Sequence, residues 1–479
     1  MRAPGTRVLG REQGVDYGRV TPAILSELRV ALGDAHVCCD ADALDRYGRD
    51  ETEDLIFPPE VVVRPDGVAE VSAVLALSAR ERIPVTPRAG GTGLSGGALP
   101  VHGGILLSVE RMNRILEIDR ANQVAVVEPG VICEALQNAV AEEGLSYPPD
   151  PASRGSSQIG GNIAECAGGP HAAKYGTTKD YVLGLEAVLP GGDVLRTGGK
   201  LRKNVTGYDL TQLLVGSEGT LAIVTKAILR LVPLPAARVT LMASFARLED
   251  AAGAVADLFQ HGVIPSACEF MERDAVVAAE EHLGVSFPHH DAAAHLLLEV
   301  DGMEADRVAR EAEILGEACL ARGALDVLVA DAPGRQAELW RLRRSVGEAV
   351  KKISVYKEED TVVPRAALAP LVAGVKAIGE RHGIRTICYG HAADGNIHVN
   401  VLKAGMDDAR WNATLPEAIR EIFRLTVRLG GMISGEHGIG LTQKPYLSIA
   451  LSKTALDLTR RLKRAFDPHD LLNPGKILD

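Results

Sequence analysis

Three glycine-rich segments in the first half of the chain constrain its fold more than any other feature. They are Gly91–Gly96, Gly160–Gly169 and Gly216–Ile223. Segments of this kind expose consecutive backbone N–H groups without side chains in the way, and such arrangements bind phosphate oxygens. A single glycine-rich segment is usually a turn between strands. Three of them in one predicted domain indicate a long ligand with several parts, such as a dinucleotide.

The first segment has the Gly-x-Gly-x-x-Gly spacing of folds that bind nicotinamide dinucleotides. That fingerprint requires a strand before the segment and a helix that begins at it. A strand is predicted at 83–87, but Gly97, Pro100 and Gly103 follow the segment and do not propagate a helix. The sequence therefore disfavours NAD bound at a helix N-terminus.

Length and composition narrow the class of protein. A chain of 479 residues is expected to form two or three domains. The formal net charge of -11 argues against nucleic acid or an anionic membrane as the main partner. The cysteines are scattered without Cys-x-x-Cys spacing, which fits a reducing compartment. Because neither a signal-peptide core in residues 1–18 nor an apolar run of membrane-spanning length is found, we expect a cytoplasmic enzyme without a transmembrane segment.

The predicted elements change character near residue 235. Strands alternate with helices up to Val232–Pro235, and residues 22–47 are predicted as helix leading to a loop. After residue 237 the glycine density falls and a β-α-β pattern begins, which indicates a second domain with an antiparallel sheet. The last stretch, 411–479, is predicted to be mostly helical.

The segment His391–Asn400 places two histidines on either side of an Asp-Gly-Asn turn. If strands at 385–390 and 397–402 pair as a hairpin, the turn brings His391 and His398 onto neighbouring strands. Alternation along the strand then puts His398 and Asn400 on one face. Two imidazoles on one face are good ligands for Zn, Mn or Fe, although a lone histidine is more often structural.

A second motif, Ser434–Gly440, adds Glu436 and His437. Glycines on both sides of this pair let the backbone turn sharply and present both side chains together. Two histidines and a glutamate leave coordination positions open for substrate, as a catalytic metal requires. Four candidate groups in two glycine-framed motifs favour a metal site over unrelated structural residues.

Taken together, the three glycine-rich segments resemble the FAD-binding domain of the vanillyl-alcohol oxidase / p-cresol methylhydroxylase flavoprotein superfamily. The resemblance implies an α+β fold with a two-part FAD-binding domain of the p-cresol methylhydroxylase type, an α+β cap domain with an antiparallel sheet, and a C-terminal helical segment. The implied boundaries are 1–55 for a helical lead-in, 56–235 for the FAD-binding domain, 236–430 for the substrate or cap domain, and 431–479 for a segment that packs back on the FAD domain. The residues implied to bind FAD are Arg88, Ala89, Gly90, Gly91, Thr92, Gly93, Leu94, Ser95, Pro149, Gly160, Gly161, Asn162, Cys166, Gly168, Gly176, Glu218, Ile223 and Asn473.

Two positions depart from patterns common in that superfamily. Some members tether FAD covalently through a histidine in the first segment, whereas this chain has Thr92 there, so we expect non-covalent FAD. Cys166 stands where relatives commonly have asparagine. It is either a neighbour of the flavin or a small buried residue.

The two histidine motifs resemble those of the D-2-hydroxy acid dehydrogenase branch of the superfamily. That branch includes D-lactate dehydrogenase, the catalytic subunit of glycolate oxidase and D-2-hydroxyglutarate dehydrogenase. The resemblance implies the metal ligands His391, His398 and Glu436, the base His437 and the substrate contact Asn400. Ala393 replaces the glycine that is usual in the first motif.

The segment Trp340–Arg344 resembles the part of this branch that binds the substrate carboxylate, with Arg343 at the matching position. A guanidinium fork suits a carboxylate. The alternative is that Arg343 is a solvated helix residue. Lys357 is a further candidate for the same carboxylate.

The implied reaction is oxidation of a small D-2-hydroxy acid, such as D-lactate or glycolate, to the 2-oxo acid. A divalent metal, with Zn favoured over Mn or Fe, would ease removal of the hydroxyl proton by His437, and FAD would accept the hydride. The electrons would pass to a quinone, an electron-transfer flavoprotein, a cytochrome or an iron–sulfur protein. The alternatives are a D-2-hydroxyglutarate dehydrogenase, a non-redox alkyl-transfer flavoprotein, or a non-enzymatic metal- or flavin-binding subunit. A homodimer, and attachment at a membrane surface through the electron acceptor, stay open.

Overall fold

A computed structural model describes Arg7–Val8 as a short strand and residues 16–478 in full. Most of the segment considered for a signal peptide, and the start of the predicted lead-in 1–55, lie outside the described residues. The chain divides into two units. The first contains the residues up to Gly168, together with Thr177–Leu234 and Glu436–Asp479. The second contains Gly169–Gly176 and Pro235–Gly435.

The first unit contains two main sheets. Over the described residues, the strand order of the smaller sheet is Val37–Cys38, Val61–Val63, Ile105–Ser108, Val85–Arg88, with parallel pairing among the last three. The larger sheet is antiparallel, in the order Val194–Gly198, Val182–Val188, Ile223–Arg230, Val124–Val127, Ile115–Asp119. Short pairs join Arg7–Val8 to Leu55–Ile56 and Leu145–Ser146 to Val232–Pro233. The parallel strands are buried throughout except at the carboxyl end of Val85–Arg88, which leads into the first glycine-rich segment.

The helices of the first unit surround these sheets. Within the described range they are Pro22–Leu32, Ala41–Tyr47, Val68–Glu81, Cys133–Ala141, Ile159–Glu165, Leu210–Leu214, Leu447–Ala450 and Lys453–Phe466. The helix predicted to begin at residue 22 starts after its cap Thr21 and ends at Gly33, whose φ of 88° is left-handed. No helix follows the first glycine-rich segment in the described chain before Cys133, which agrees with the argument against a nicotinamide fingerprint.

The second glycine-rich segment is not a loop throughout, because Ile159–Glu165 is a short helix. Glycine is a poor helix former, which is why the sequence suggests a loop here. Packing overrides that propensity: a Cβ at Gly160 would lie 2.6 Å from Pro129 Cβ, so only glycine lets the helix lie this close. The helix ends at Cys166, whose φ is 56°.

The second unit is built on an antiparallel sheet, as predicted. In the described residues its strand order is Ala324–Ala330, Ala237–Phe245, Ala294–Gly302, Ala267–Glu272, Arg385–His391, Asn396–Leu402, Tyr356–Val362. Its helices are Ala172–Tyr175, Leu248–Leu258, Arg273–Leu283, Ala305–Ala321, Pro333–Lys351, Leu368–His382 and Asp408–Arg428. The predicted hairpin of 385–390 and 397–402 is confirmed by the pairing of His391 with Asn396.

Two helices cover the sheet face that carries the candidate site. Arg273–Leu283 and Pro333–Lys351 pack against each other and share a buried cluster with Met271 and Tyr389. The first of these helices was not expected from the sequence, although its alanine and glutamate content favours a helix. The second helix brings Arg343 over the sheet.

In the described part of the chain, no helix combines the length and the apolar character needed to cross a membrane.

Candidate active site

A cavity in the first unit is lined by all three glycine-rich segments. The predicted FAD-binding residues that line it are Arg88, Ala89, Gly90, Gly91, Thr92, Gly93, Leu94, Gly160, Gly161, Asn162, Glu218 and Ile223. Glu436 and His437 belong to the same unit and line the same cavity. The structure therefore brings residues that are far apart in sequence to one cavity.

The glycines of the first two segments allow these segments to approach each other. A Cβ at Gly90 would lie 2.7 Å from the backbone oxygen of Ser156, and one at Gly161 would lie 3.2 Å from Ala89 Cβ. By contrast, a Cβ at Gly93 would meet no atom within 4 Å. Gly93 lines the cavity, so the empty space beside it is room for a ligand. A wall of closely packed backbone with open space on one side fits a flavin dinucleotide.

Residues that were not singled out from the sequence also line this cavity. Gln158 offers a buried side-chain oxygen that has no hydrogen-bond partner among the described residues. Buried polar atoms are nearly always paired in proteins, so an unpaired one that faces a cavity fits a missing polar ligand. Gln158 lies two residues before Gly160. This closeness to the second glycine-rich segment is the sequence signal that could have identified it as a cavity residue.

Other predicted FAD-binding residues do not line the cavity. They are Ser95, Pro149, Cys166, Gly168, Gly176 and Asn473. The amide of Asn473 donates to the backbone oxygens of Gly97 and Glu218, which ties the C-terminal segment to two glycine-rich segments. Gly176 belongs to the second unit. Gly168 leaves room for Glu436, because a Cβ there would lie 2.9 Å from Glu436 Oε2.

Two buried glutamates lie against the segment that follows His437. Glu218 accepts hydrogen bonds from the backbone N–H groups of Ile439 and Gly440, at 2.8 and 2.6 Å. Glu165 lies against Gly438, where a Cβ would come 2.1 Å from Glu165 Oε2. Burial, and then the neighbouring Glu218, raise the pKa of Glu165 well above its usual range.

The second unit carries a polar face on the four strands that run from the middle of its sheet to the edge strand Tyr356–Val362. Strand register places His391 opposite Glu269, and His398 opposite both Tyr389 and Asp360. The two imidazoles are diagonal neighbours with ring centroids 5.3 Å apart. Both are almost fully buried. The face predicted for His398 also carries Asn400, which is fully buried two residues further along the strand.

The hairpin turn explains why this geometry forms. Gly395 has a φ of 85°, and a Cβ there would lie 1.8 Å from the backbone oxygen of Val363, so glycine is required. Ala393 is not among the residues with positive φ, and its N–H donates to the backbone oxygen of Cys268. The backbone at this position therefore accommodates alanine.

A carboxylate that sequence reasoning missed contacts the first histidine. Both oxygens of Glu269 lie 2.9 Å from His391 Nδ1, and Arg343 Nη2 lies 2.6 Å from Glu269 Oε2. Burial alone raises the pKa of Glu269, but the positive charge of Arg343 and the contact with His391 outweigh it and bring that pKa below its usual range. The alternative of a solvated Arg343 is wrong, because that side chain is 7% exposed. Glu269 lies in the apolar run Ala267–Met271, and a single charge in such a run is the signal that could have found it.

A second carboxylate, Asp360, connects the two histidine motifs within the second unit. Its oxygens accept hydrogen bonds from Asn396 Nδ2 at 2.6 Å and from the backbone N–H of Gly435 at 2.8 Å. His398 Nδ1 lies 3.6 Å from Asp360 Oδ1. Gly435 is the last residue of this unit, and Glu436 is the next residue in the chain.

Lys357 is not brought to this face. It pairs with Val401 in the register, whereas its neighbour Glu358 pairs with Asn400. Successive residues of a strand point to opposite faces of the sheet, so the side chain of Lys357 leaves the strand on the face opposite to that of His398.

His391, His398 and Glu436 are all candidate metal ligands among the described residues.

Two family models match most of the chain. Residues 59–198 match a family model described as "FAD binding domain", and residues 234–477 match one described as "FAD linked oxidases, C-terminal domain". The chain belongs to the FAD-linked oxidases. Because residues 59–198 match the FAD-binding family model, FAD is the cofactor that the first unit binds.

Relatives of this FAD-linked oxidase share most of its length. It is 41% identical to "Glycolate oxidase subunit GlcD" of Bacillus subtilis, over 90% of this chain and 91% of that protein. It is also 41% identical to "D-lactate dehydrogenase" of Archaeoglobus fulgidus, over 91% and 96%. The crystal structure of p-cresol methylhydroxylase has the same fold, with a TM-score of 0.79 at 19% identity over 95% of this chain and 96% of that one. The oxidase is therefore an FAD-dependent oxidoreductase of the 2-hydroxy acid dehydrogenase branch.

Proposed function

We propose that this FAD-linked oxidase converts a small D-2-hydroxy acid, D-lactate or glycolate in size, to the 2-oxo acid, with a divalent metal bound by His391, His398 and Glu436. The proposal rests above all on the paired imidazoles of the second unit. His391 Nδ1 is occupied by Glu269, so the other ring nitrogen is the one that can bind a metal. The names of the relatives at 41% identity support the substrate class.

Zinc is the metal that we favour. Two imidazoles and a carboxylate suit Zn, with Mn and Fe as alternatives. When bound, a divalent metal lowers the cost of forming an alkoxide from the substrate hydroxyl. Glu269 orients the ring of His391 through Nδ1, an arrangement that is common around protein-bound metals.

The protein side chains divide the remaining tasks. We propose that Arg343 binds the substrate carboxylate through nitrogens that Glu269 does not engage, since its buried Nε has no hydrogen-bond partner among the described residues. Asn400 contacts the substrate, and His437 accepts the hydroxyl proton as general base. FAD supplies the hydride acceptor, which no side chain can provide. Lys357 is left out of the proposed site because of its position in the strand register.

FAD is proposed to bind without a covalent link, because Thr92 stands where a tethering histidine would be expected. Acid precipitation of the purified protein should release all of the flavin into the supernatant. Flavin that stays with the precipitate would contradict non-covalent binding.

The substrate is tested by anaerobic bleaching of the flavin absorption with paired D- and L-2-hydroxy acids of increasing size, including D-2-hydroxyglutarate. We expect D-lactate or glycolate to bleach the flavin rapidly, L-lactate to be at least about tenfold slower, and pyruvate or glyoxylate to appear in equal amount to reduced flavin. If only D-2-hydroxyglutarate bleached the flavin rapidly, that acid would be the substrate instead of D-lactate or glycolate. Protein that keeps its flavin oxidised with every acid would contradict the proposed reaction.

A further inference from the structure

Glu269 lies at a position where a charge is costly to bury. It is fully buried in the strand Ala267–Glu272, and its neighbours in sequence are Cys268 and Phe270. A carboxylate removed from water in this way is tolerated only when it is paired and hydrogen-bonded. Its partners therefore show what the charge is retained for.

Those partners are two residues with different proposed tasks. His391 Nδ1 lies 2.9 Å from each oxygen of Glu269, and Arg343 Nη2 lies 2.6 Å from Oε2. One is a proposed metal ligand and the other the proposed group for the substrate carboxylate. They come from a sheet strand and from a helix above the sheet, and Glu269 is the side chain that contacts both.

Each contact fixes an orientation. The bond at Nδ1 selects the tautomer of His391 in which the other ring nitrogen carries the lone pair. The ion pair holds one end of the Arg343 guanidinium, whose Cζ lies 5.3 Å from the centre of the Tyr389 ring. Because a guanidinium is planar and rigid, fixing one nitrogen also aims the others.

We propose that Glu269 is a positioning residue that couples the metal site to the substrate-carboxylate site, holding His391 and Arg343 in register with a single side chain. This inference rests on the proposed function and extends it, because it assigns a specific role to a residue outside the predicted set. Loss of the charge should then weaken metal binding and substrate binding together. A purely structural ion pair would lower stability without affecting both sites.

The test compares Glu269→Gln with Glu272→Gln in the FAD-loaded protein. Glu272 lies in the same strand and is also buried and paired, but with Lys376, at 2.6 Å. Glu272→Gln therefore removes a buried charge from the same strand without touching His391 or Arg343. Zinc affinity is measured by competition with a chelator, and KM and kcat are then measured at saturating zinc.

We expect Glu269→Gln to bind zinc about 10–100-fold more weakly and, at saturating zinc, to show a KM raised about tenfold. Glu272→Gln should change neither quantity by more than about twofold, whatever its effect on thermal stability. Glu269→Asp keeps the charge on a shorter side chain and should recover part of both losses, which also protects the test if Glu269→Gln folds poorly.

Two results would overturn the inference alone: zinc affinity unchanged in Glu269→Gln, or weaker zinc binding with an unchanged KM at saturating zinc. These two results count against the inference only when the unmodified protein binds zinc and oxidises the acid. An unmodified protein that binds no metal would instead overturn the proposed function, and the inference with it.

Discussion

The two units use different physical means to arrange their candidate binding residues. In the first unit, the absence of Cβ atoms at Gly90 and Gly161 lets segments of the chain beside the cavity pack closely together. In the second unit the site is a set of buried charges and imidazoles whose orientations depend on one another, as at Glu269 and Asp360. We therefore expect FAD binding in the first unit to be sensitive mainly to added side-chain volume. Binding of metal and substrate in the second unit should be sensitive mainly to the charge and orientation of side chains.

The largest effect is expected from His391→Ala in the second unit. Removal of a metal ligand should abolish zinc binding and lower kcat/KM by about a thousandfold or more, because the metal stabilises charge in the reaction. The flavin content should be unchanged, since His391 is not part of the first unit. Metal analysis, flavin absorption and steady-state kinetics check this.

His290→Ala is the control, since His290 is an exposed histidine of the same unit. If His391→Ala lost its flavin while His290→Ala kept it, the expectation that His391 has no part in flavin binding would be contradicted.

The next effect is expected from Arg343→Lys. Lysine keeps the charge but loses the planar fork, so KM should rise about 10–100-fold, corresponding to one charge-assisted hydrogen bond. The exposed Arg341 on the same helix provides the control Arg341→Lys, for which KM should stay within about twofold. Equal KM values in the two variants would remove Arg343 from the site.

A smaller effect is expected from Gly93→Ala in the first unit. The added methyl group meets no protein atom, so the FAD-free protein should unfold at the same temperature as the unmodified one. It would project into the cavity and should weaken FAD binding by about tenfold, a typical cost of overpacking. Gly191→Ala also has open space around its Cβ but lies outside the cavity lining, and should bind FAD normally. Unchanged FAD affinity in Gly93→Ala would show that the cofactor does not approach this position.

The smallest effect concerns Glu165. Its raised pKa means that the folded protein keeps a proton which the unfolded chain releases, so this residue lowers stability as the pH rises above the usual glutamate range. Glu165→Gln removes that dependence and should melt a few degrees higher than the unmodified protein at pH 8, with the difference shrinking at pH 5. The exposed Glu142→Gln should show no such trend. A difference in melting temperature that is independent of pH would contradict a raised pKa of Glu165.

Sequence reasoning succeeded where local patterns carry the information. The hairpin at His391–His398 follows from alternation around an Asp-Gly-Asn turn, and the missing helix after Gly96 follows from the glycines and proline beyond it. The short helix at Ile159–Glu165 was missed because its glycines are demanded by a contact with Pro129 that is distant in sequence.

The contacts of Glu269 with His391 and Arg343 were missed for a similar reason. Its strand pairs with a segment more than a hundred residues further along the chain, and its arginine partner lies on a separate helix. The position of Lys357 depended on a strand register that the sequence alone does not set. These features depend on tertiary pairing, which a local pattern does not contain.

One anaerobic titration tests most directly whether flavin binding and the proposed metal-dependent chemistry depend on different residues of the chain. The FAD-loaded protein is treated with a chelator, its visible spectrum is recorded, the hydroxy acid is added, and zinc is then restored. We expect the flavin spectrum to survive metal removal, the acid to leave it unbleached, and bleaching to return when zinc is added. Release of flavin by the chelator, or full bleaching without metal, would contradict it.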